Sequence, residues 1–373
     1  MTTIAGPAAA ALSSLSADQL TFIRSLPKAE LHAHLNGCIP ITVLRELAHE
    51  YARSSAADSS AKSIGSATLS SLLSNDAVQS GIQQLLSSEG VKLEKITDFF
   101  GLFPSIYALT STKEALGRVT RAVLESFLGT SRVDEDIHRG TASQAECAYL
   151  ELRSTPRQTD GMTREEYVRT IVEEAEWYPP GKVGIIVSLD RKMSGEVMDE
   201  CVEVASKLRK EGKAVVGVDL CGDPLAGDVV DFERYFRRAK EVGLKVTLHV
   251  AETTSNSCEE TLKLLSYGPD RLGHATFLDD DAIDYVVKNK IPIEICLTSN
   301  LLCKTVSSLD EHHIRHYLKH NHPISICTDD TLPFRTTSTA EYALLLAKLP
   351  LGLGLSEGDV EKIARMGMEH RFV

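Results

Sequence analysis

The chain has 373 residues, enough for one large α/β barrel or two ordinary domains. Its composition, 43% hydrophobic and 25% charged, is that of a soluble globular protein, and no apolar run approaches the ~18 residues of a transmembrane helix. The net charge of −12 argues against a nucleic-acid-binding surface, which normally carries a basic stripe, but not against a small anionic substrate, for which one or two local cations suffice.

Residues 1–20 are Ala/Ser-rich without a positive n-region, and are expected to form a flexible leader rather than a signal peptide. A helix start is placed near Ser16, Ala17 and Asp18. Next comes Pro27-Lys-Ala-Glu-Leu-His32-Ala-His34-Leu-Asn36-Gly37. Leu31, Ala33 and Leu35 alternate with His32 and His34, the period of a short buried strand, so both imidazoles are aimed at one point. A single buried histidine is usually a satisfied core residue, whereas a pair at i, i+2 raises the expectation of a metal. Residues 40–51 read as an amphipathic helix. Residues 54–88, rich in Ser and Ala, are expected to be an exposed, partly mobile insertion without chemistry. Helical signal returns at 95–107 and 112–129.

From there the punctuation is regular. Apolar runs at 146–153, 183–190, 214–221, 244–250, 271–274, 291–297 and 323–328 alternate with helical segments at 164–177, 195–211, 231–242, 259–265, 280–288 and 311–319. With the His32 strand this makes eight strands in βα alternation, which predicts a (β/α)8 TIM barrel of the metal-dependent hydrolase type, with extra N-terminal helices, in one domain over residues 21–373. A doubly wound sheet is the alternative, but no GxGxxG follows the first strand. The eight cysteines are scattered singly and several (Cys147, Cys221, Cys296, Cys327) fall inside apolar runs, as expected of a reduced cytosolic protein without disulfides.

The polar residues fall at the carboxyl ends of these runs: His32 and His34, Arg153, Asp190, Asp219, His249, His274, Thr298 and Ser299, Asp329 and Asp330. In a (β/α)8 barrel that rim builds the active site. Three imidazoles (His32, His34, His249) and the carboxylate of Asp329 suit one zinc ion with room for a water. Glu252, three residues past His249, is placed as a proton shuttle; a charge in the first turn of a helix is its bland alternative. His274 is open to three readings: orienting the attacking hydroxide, a further ligand, or a satisfied core histidine. Asp330 points away from Asp329 on an extended chain, so one binds metal while the other holds water or substrate. Gly222 follows strand four, where a bare backbone N–H can approach a flat ligand. His312, His313, His316, His320 and His322 crowd a polar segment and are read as a solvated outer face, not a helical metal site.

The segments around His32, Asp-Leu-Cys-Gly222-Asp, His249-Val-Ala-Glu252, Arg-Leu-Gly-His274 and Cys-Thr-Asp329-Asp330 resemble, in order and spacing, the motif set of the adenosine/AMP deaminase family over residues 26–349. The resemblance implies zinc ligands at His32, His34, His249 and Asp329, a proton donor to purine N1 at Glu252, and His274 and Asp330 positioning the attacking hydroxide. It also implies a backbone donor to purine N3 at Gly222. The H-x-E and P-C-x-x-C signature of cytidine-type deaminases is absent. Asn36, the Leu150–Arg157 run and Cys296-Leu-Thr-Ser-Asn300 are similar to the adenosine deaminase-like branch, which acts on N6-methyl-AMP. On that basis Ser154, Thr155, Pro156 and Arg157 are carried over as nucleotide contacts, with Asn36, His34, Asp190 and Asp330 as further substrate contacts. Hydroxyls and a guanidinium are donors suited to a 5′-phosphate, and an amide at position 36 removes a repelling carboxylate. Tyr107 is placed on the pocket wall. The expected reaction is zinc-dependent hydrolysis at purine C6, N6-methyl-AMP to IMP plus methylamine, with deamination of the nucleoside adenosine as the alternative. The expected partner is a small purine nucleotide, without nucleic acid or membrane, and the expected state is a monomer.

Overall fold

The computed structural model of the protein describes residues 4–58, 75–87, 101–130 and 145–373. Eight strands, β1 (Ala29–His34), β2 (Tyr149–Ser154), β3 (Val183–Asp190), β4 (Val215–Cys221), β5 (Lys245–Val250), β6 (Arg271–His274), β7 (Ile293–Ile295) and β8 (Ile324–Ile326), pair in parallel and in sequence order. The circle closes where Asp329 meets Ala33 in an isolated bridge: the Asp329 N–H donates to the His32 carbonyl at 2.9 Å and the His34 N–H to the Asp329 carbonyl at 3.3 Å. The predicted barrel is therefore present, with helices outside it.

The crossover helices begin where the chain supplies a side-chain cap. Thr163, Ser194, Asp228, Ser257 and Asp279 accept from backbone N–H groups at the starts of Arg164–Ala175, Gly195–Lys210, Val229–Glu241, Cys258–Ser266 and Asp280–Asn289. Each helix then buries an apolar stripe, such as Phe232, Phe236 and Ala239, against the strands.

The centre of the barrel is charged rather than oily. Arg153 and Arg271 are among the largest fully buried side chains. Arg271 pairs with Glu151 and, through Nε at 2.7 Å, with Glu294. Arg153 reaches Glu294 at 2.8 Å and lies 3.6 Å from Asp219. Thr247 donates to Glu294 at 2.9 Å, while the Phe372 N–H caps Glu151 at 2.6 Å. Burial penalises every one of these charges, so the network holds only because each is paired.

Strand β1 is not a plain alternating strand. Its register against β2 slips by one residue between Glu30 and Ala33, a bulge over Leu31 and His32. The Glu30 carboxylate turns to the helix layer and accepts from the N–H groups of His32 and Thr328, both at 3.0 Å, and from Ser338 Oγ at 3.3 Å. It thereby pairs backbone donors on both sides of the β8–β1 seam.

Two expectations need correction. The supposed flexible leader contains a helix, Gly6–Ser14, whose Ala8 and Ala11 are fully buried where it packs on the helix Ser338–Leu346. Alanine is small enough to let two helices approach closely, so an Ala-rich run that looks featureless is an interface. The supposed insertion contains the helix Asn75–Leu86, with Val78, Ile82 and Leu85 buried at helical spacing. Arg45 donates to the Leu85 carbonyl in its last turn and to the Ser87 carbonyl just beyond it, at 3.0 and 2.8 Å. Residues 59–74 and 88 of that insertion, and residues 95–100 of the helix expected at 95–107, lie outside the described residues. No helix among the described residues is long and apolar enough to cross a membrane.

Replacing Glu30 with alanine leaves two buried N–H groups unpaired. We expect a loss of about 2–4 kcal/mol in unfolding free energy, read from urea titrations. A change below about 0.5 kcal/mol would show that the seam closes without it.

Candidate active site

At the carboxyl mouth of the barrel the strands deliver four imidazoles to one spot. His32 and His34 come from β1, His249 from β5 and His274 from the end of β6. The Nε2 atoms of His32 and His34 are 3.2 Å apart, and those of His34 and His249 3.3 Å apart. Asp329 Oδ1 lies 3.5 Å from His34 Nε2 and 3.7 Å from His32 Nε2. Four donors at roughly 2.0–2.1 Å around a tetrahedral ion stand about 3.3–3.4 Å from one another, so these spacings fit one metal ion.

The tautomers also fit. His32 Nδ1 faces the Glu294 carboxylate at 2.6 Å, and His249 Nδ1 faces Asp219 at 3.0 Å and the Leu220 carbonyl at 2.9 Å. Acceptors on Nδ1 place the proton there and leave the Nε2 lone pairs directed at the common point. Burial lowers the pKa of His34 to about 3 and that of His32 well below its usual value, so both are neutral. Burial also opposes protonation of His249, but Asp219 outweighs it and lifts that pKa to about 9, so a metal binding at its Nε2 displaces a proton from that nitrogen. Arg153 stands behind both carboxylates; with Arg271 it keeps Glu294 well below the usual carboxylate range despite burial.

Asp329 adopts φ of 61° and takes a hydrogen bond from Ser299 Oγ at 2.8 Å on its second oxygen. His274, whose Nε2 is 4.0 Å from that oxygen, also sits in the left-handed region with φ of 59°. Asp330 is directed elsewhere, over Gly37, where any Cβ would fall on its carboxylate. Burial, with the adjacent Asp329, pushes the Asp330 carboxyl well above its usual range, and its Oδ1 has no hydrogen-bond partner among the described residues. The same is true of Asn36 Oδ1. Such orphaned buried atoms mark where a ligand is to be met.

These groups open onto a cavity of about 740 Å³. His34, Asn36, Tyr107, Ser154, Thr155, Asp190, Gly222, His249, Glu252, His274, Asp329 and Asp330 all line it, with Phe103 and Phe334 as apolar walls. Gly222 has φ of 95°, and a Cβ there would lie 2.7 Å from the Asp190 carboxyl carbon, so only glycine fits beside Asp190.

Two residues expected at the substrate are not on this wall. Pro156 is buried behind it, and Arg157 donates to the Tyr107 carbonyl at 3.1 Å and to Thr110 Oγ1 at 2.7 Å, its guanidinium 4.3 Å from the Tyr107 ring centre. Arg157 therefore braces the wall that Tyr107 presents. Lys192, which the sequence reading passed over, does line the cavity, at its exposed lip, and pairs with Asp223 at 3.0 Å. Its only sequence signal is its place two residues beyond the end of β3. Glu294, which orients His32, was hidden in an apolar run.

The histidine-rich segment is not the solvated face expected. His312 and His322 are buried, and the helix there spans only Ile314–Lys319, so His312, His316 and His320 do not share one helical face. Their ring nitrogens meet backbone groups: His322 Nε2 donates to the Ile291 carbonyl at 2.8 Å, and the Ile314 N–H donates to His312 Nδ1 at 3.1 Å.

An eight-stranded parallel barrel with helices outside it and a histidine and carboxylate cluster at its carboxyl mouth is a (β/α)8 barrel of the metal-dependent hydrolase type. The adenosine deaminase family model matches residues 74–373, and the chain belongs to that family and is a deaminase. It is 35% identical to the N6-methyl-AMP deaminase of Bos taurus over 303 residues, 78% of this chain and 75% of the relative. The apo structure of the N6-methyl-AMP deaminase from Arabidopsis thaliana superposes with a TM-score of 0.75 at 31% identity, covering 95% of this chain and 94% of that one. A structure of Arabidopsis ADAL complexed with IMP matches with a TM-score of 0.74 at 30% identity, over 94% of each chain.

Asp219→Asn removes the charge that holds the His249 tautomer. Metal affinity should fall about 10–100-fold, measured by competition with a chromophoric chelator. An unchanged affinity would mean Asp219 serves only the ion network.

Proposed function

We propose that this protein is a zinc-dependent nucleotide deaminase that hydrolyses N6-methyl-AMP to IMP and methylamine. The observation that carries the reading is the convergence of His32, His34, His249 and Asp329 at 3.2–3.7 Å beneath a cavity that Glu252, His274 and Asp330 also line. Three imidazoles and a carboxylate suit zinc. When bound there, the ion supplies a water acidified to near neutral pH.

The chain's own residues account for the other steps. Glu252, on the cavity wall, protonates purine N1, which breaks the aromatic system and makes C6 electrophilic. His274 and Asp330 hold the attacking oxygen over C6 and take its proton, Asp330 through its unpartnered Oδ1. Water adds at C6; the proton taken from it passes to the amine nitrogen, the C6 hydroxyl returns its own proton to the Glu252 carboxylate, and the tetrahedral adduct collapses to the C6 carbonyl with release of methylamine. The Gly222 N–H is the donor for N3, left open because no side chain can stand there. Asn36 and Asp190 face the ribose, with Phe103, Tyr107 and Phe334 around the apolar parts of the ligand.

For the phosphate, Ser154, Thr155 and Lys192 supply donors on the wall, while Arg157 adds charge from behind Tyr107. That Arabidopsis ADAL has been seen complexed with IMP supports a nucleotide as the ligand. The engagement of Arg157 with the Tyr107 carbonyl favours a second reading, in which the nucleoside adenosine is the substrate.

Metal-loaded protein offered N6-methyl-AMP, AMP and adenosine side by side separates the two readings, followed by loss of the purine absorbance band. We expect turnover of N6-methyl-AMP; turnover of adenosine alone would replace the phosphate reading with the second. Glu252→Gln should abolish turnover, by about 10²–10⁴-fold, with metal content unchanged. A variant of normal activity would remove Glu252 from the proton step. Lys192→Ala should raise KM for the nucleotide about ten-fold and leave that of the nucleoside unaltered.

A further inference from the structure

His274 reaches the reaction centre through an unusual stretch of backbone. It and Ala275 are consecutive non-glycine residues in the left-handed region, at φ of 59° and 49°. Residues other than glycine hold that conformation only when their surroundings dictate it. Part of the restraint is local: the Ala275 N–H donates to the carbonyls of Gly273 at 2.8 Å and Val250 at 3.1 Å, and the Phe277 N–H donates to Ala251 at 2.9 Å. These bonds fix the amides of the turn. The carbonyl of His274 itself is held by another element.

That carbonyl points away from the site and accepts from His313 Nε2 at 2.9 Å. His313 precedes the short helix Ile314–Lys319 in the β7–β8 connection, about forty residues further along the chain. We propose that His313 is a positioning residue for His274: its Nε2–H pins the His274 carbonyl outward and so keeps the His274 imidazole turned inward over the reaction centre.

The surroundings of His313 fit a fixed donor. Its ring stacks on that of His312 at 4.4 Å and 20°, and His312 is itself locked by the Ile314 N–H on its Nδ1. The Tyr317 ring meets His313 edge-on at 6.1 Å. Burial keeps both imidazoles neutral near pH 7, lowering His313 to about 4 and His312 to about 2. A neutral ring donating from Nε2 carries its lone pair on Nδ1, and His313 Nδ1 has no hydrogen-bond partner among the described residues. The ring thus serves one bond, the one to His274. Without it the peptide after His274 is free to rotate toward the ordinary right-handed region, and the imidazole swings with it. In the site the ring centre of His274 stands 4.8 Å from that of His32 and 5.3 Å from that of His249, so a displacement of 1 Å is large on this scale.

This inference rests on the deaminase reading for its kinetic consequence, and the test separates the two. Zinc-loaded full-length His313→Phe keeps the ring and loses the donor; His313→Gln restores an amide donor near the position of Nε2. We expect His313→Phe to lose on the order of 10–100-fold in kcat with KM within two-fold of wild type, and His313→Gln to recover most of it. The crystal structure of His313→Phe should show His274 out of the left-handed region, with its ring moved. A kcat within two-fold of wild type, a loss confined to KM, no recovery in His313→Gln, or an unmoved His274 would each overturn the proposal. If the wild-type protein turns over none of the purines, the deaminase reading fails, and the position of His274 in the His313→Phe structure still decides the role of His313.

Discussion

Arg153 is the group on which the site depends. It lies fully buried inside the barrel between Glu294 and Asp219, and each of those carboxylates faces the Nδ1 of a different histidine, His32 and His249. This cation helps to keep two carboxylates ionised, together with Arg271 at Glu294 and His249 at Asp219, and the two carboxylates fix the tautomers of imidazoles on strands that are not neighbours. Removing an uncharged core side chain leaves a cavity. Removing Arg153 leaves Asp219 with only His249 and Glu294 with only Arg271 and His32 to balance buried negative charge, which is far costlier. The same network continues downward through Arg271 to Glu151 and the Phe372 amide, so the site rests on a column of paired charges where a hydrocarbon core would deform.

Much of this was legible in the sequence. The period-2 run around His32, the βα alternation and the placement of polar residues at strand ends led to the barrel and to the histidine and carboxylate cluster at its mouth. What was not legible depends on contacts distant in the chain. Glu294 sits between isoleucines and declares its role only when β7 brings it against His32 and two arginines. The bulge in β1 leaves no trace in the residue pattern, because Leu31 and His32 look like any alternating pair. Arg157 reads as a phosphate ligand by type, yet a carbonyl and a hydroxyl within reach of its guanidinium claim it.

The histidine-rich segment shows why polarity is a poor guide to burial. An imidazole can be buried at little cost when its N–H finds a backbone carbonyl, and His313 and His322 both do. The helices Gly6–Ser14 and Asn75–Leu86 show the converse, since small or sparse apolar residues carried enough packing to order segments of weak pattern.

The barrel seam has a consequence for the making of the protein. His32 and His34 belong to the first strand, and Asp329 follows the last, so the proposed ligand set is completed only when the two ends of the strand order meet. During synthesis the first histidines emerge long before their carboxylate partner, and a nascent chain lacking the eighth strand has no fourth ligand. Contacts so remote in sequence form late in folding. On the proposed ligand set, metal capture at full affinity is reserved for chains that have already closed the barrel, so that metal binding would report on completed folding.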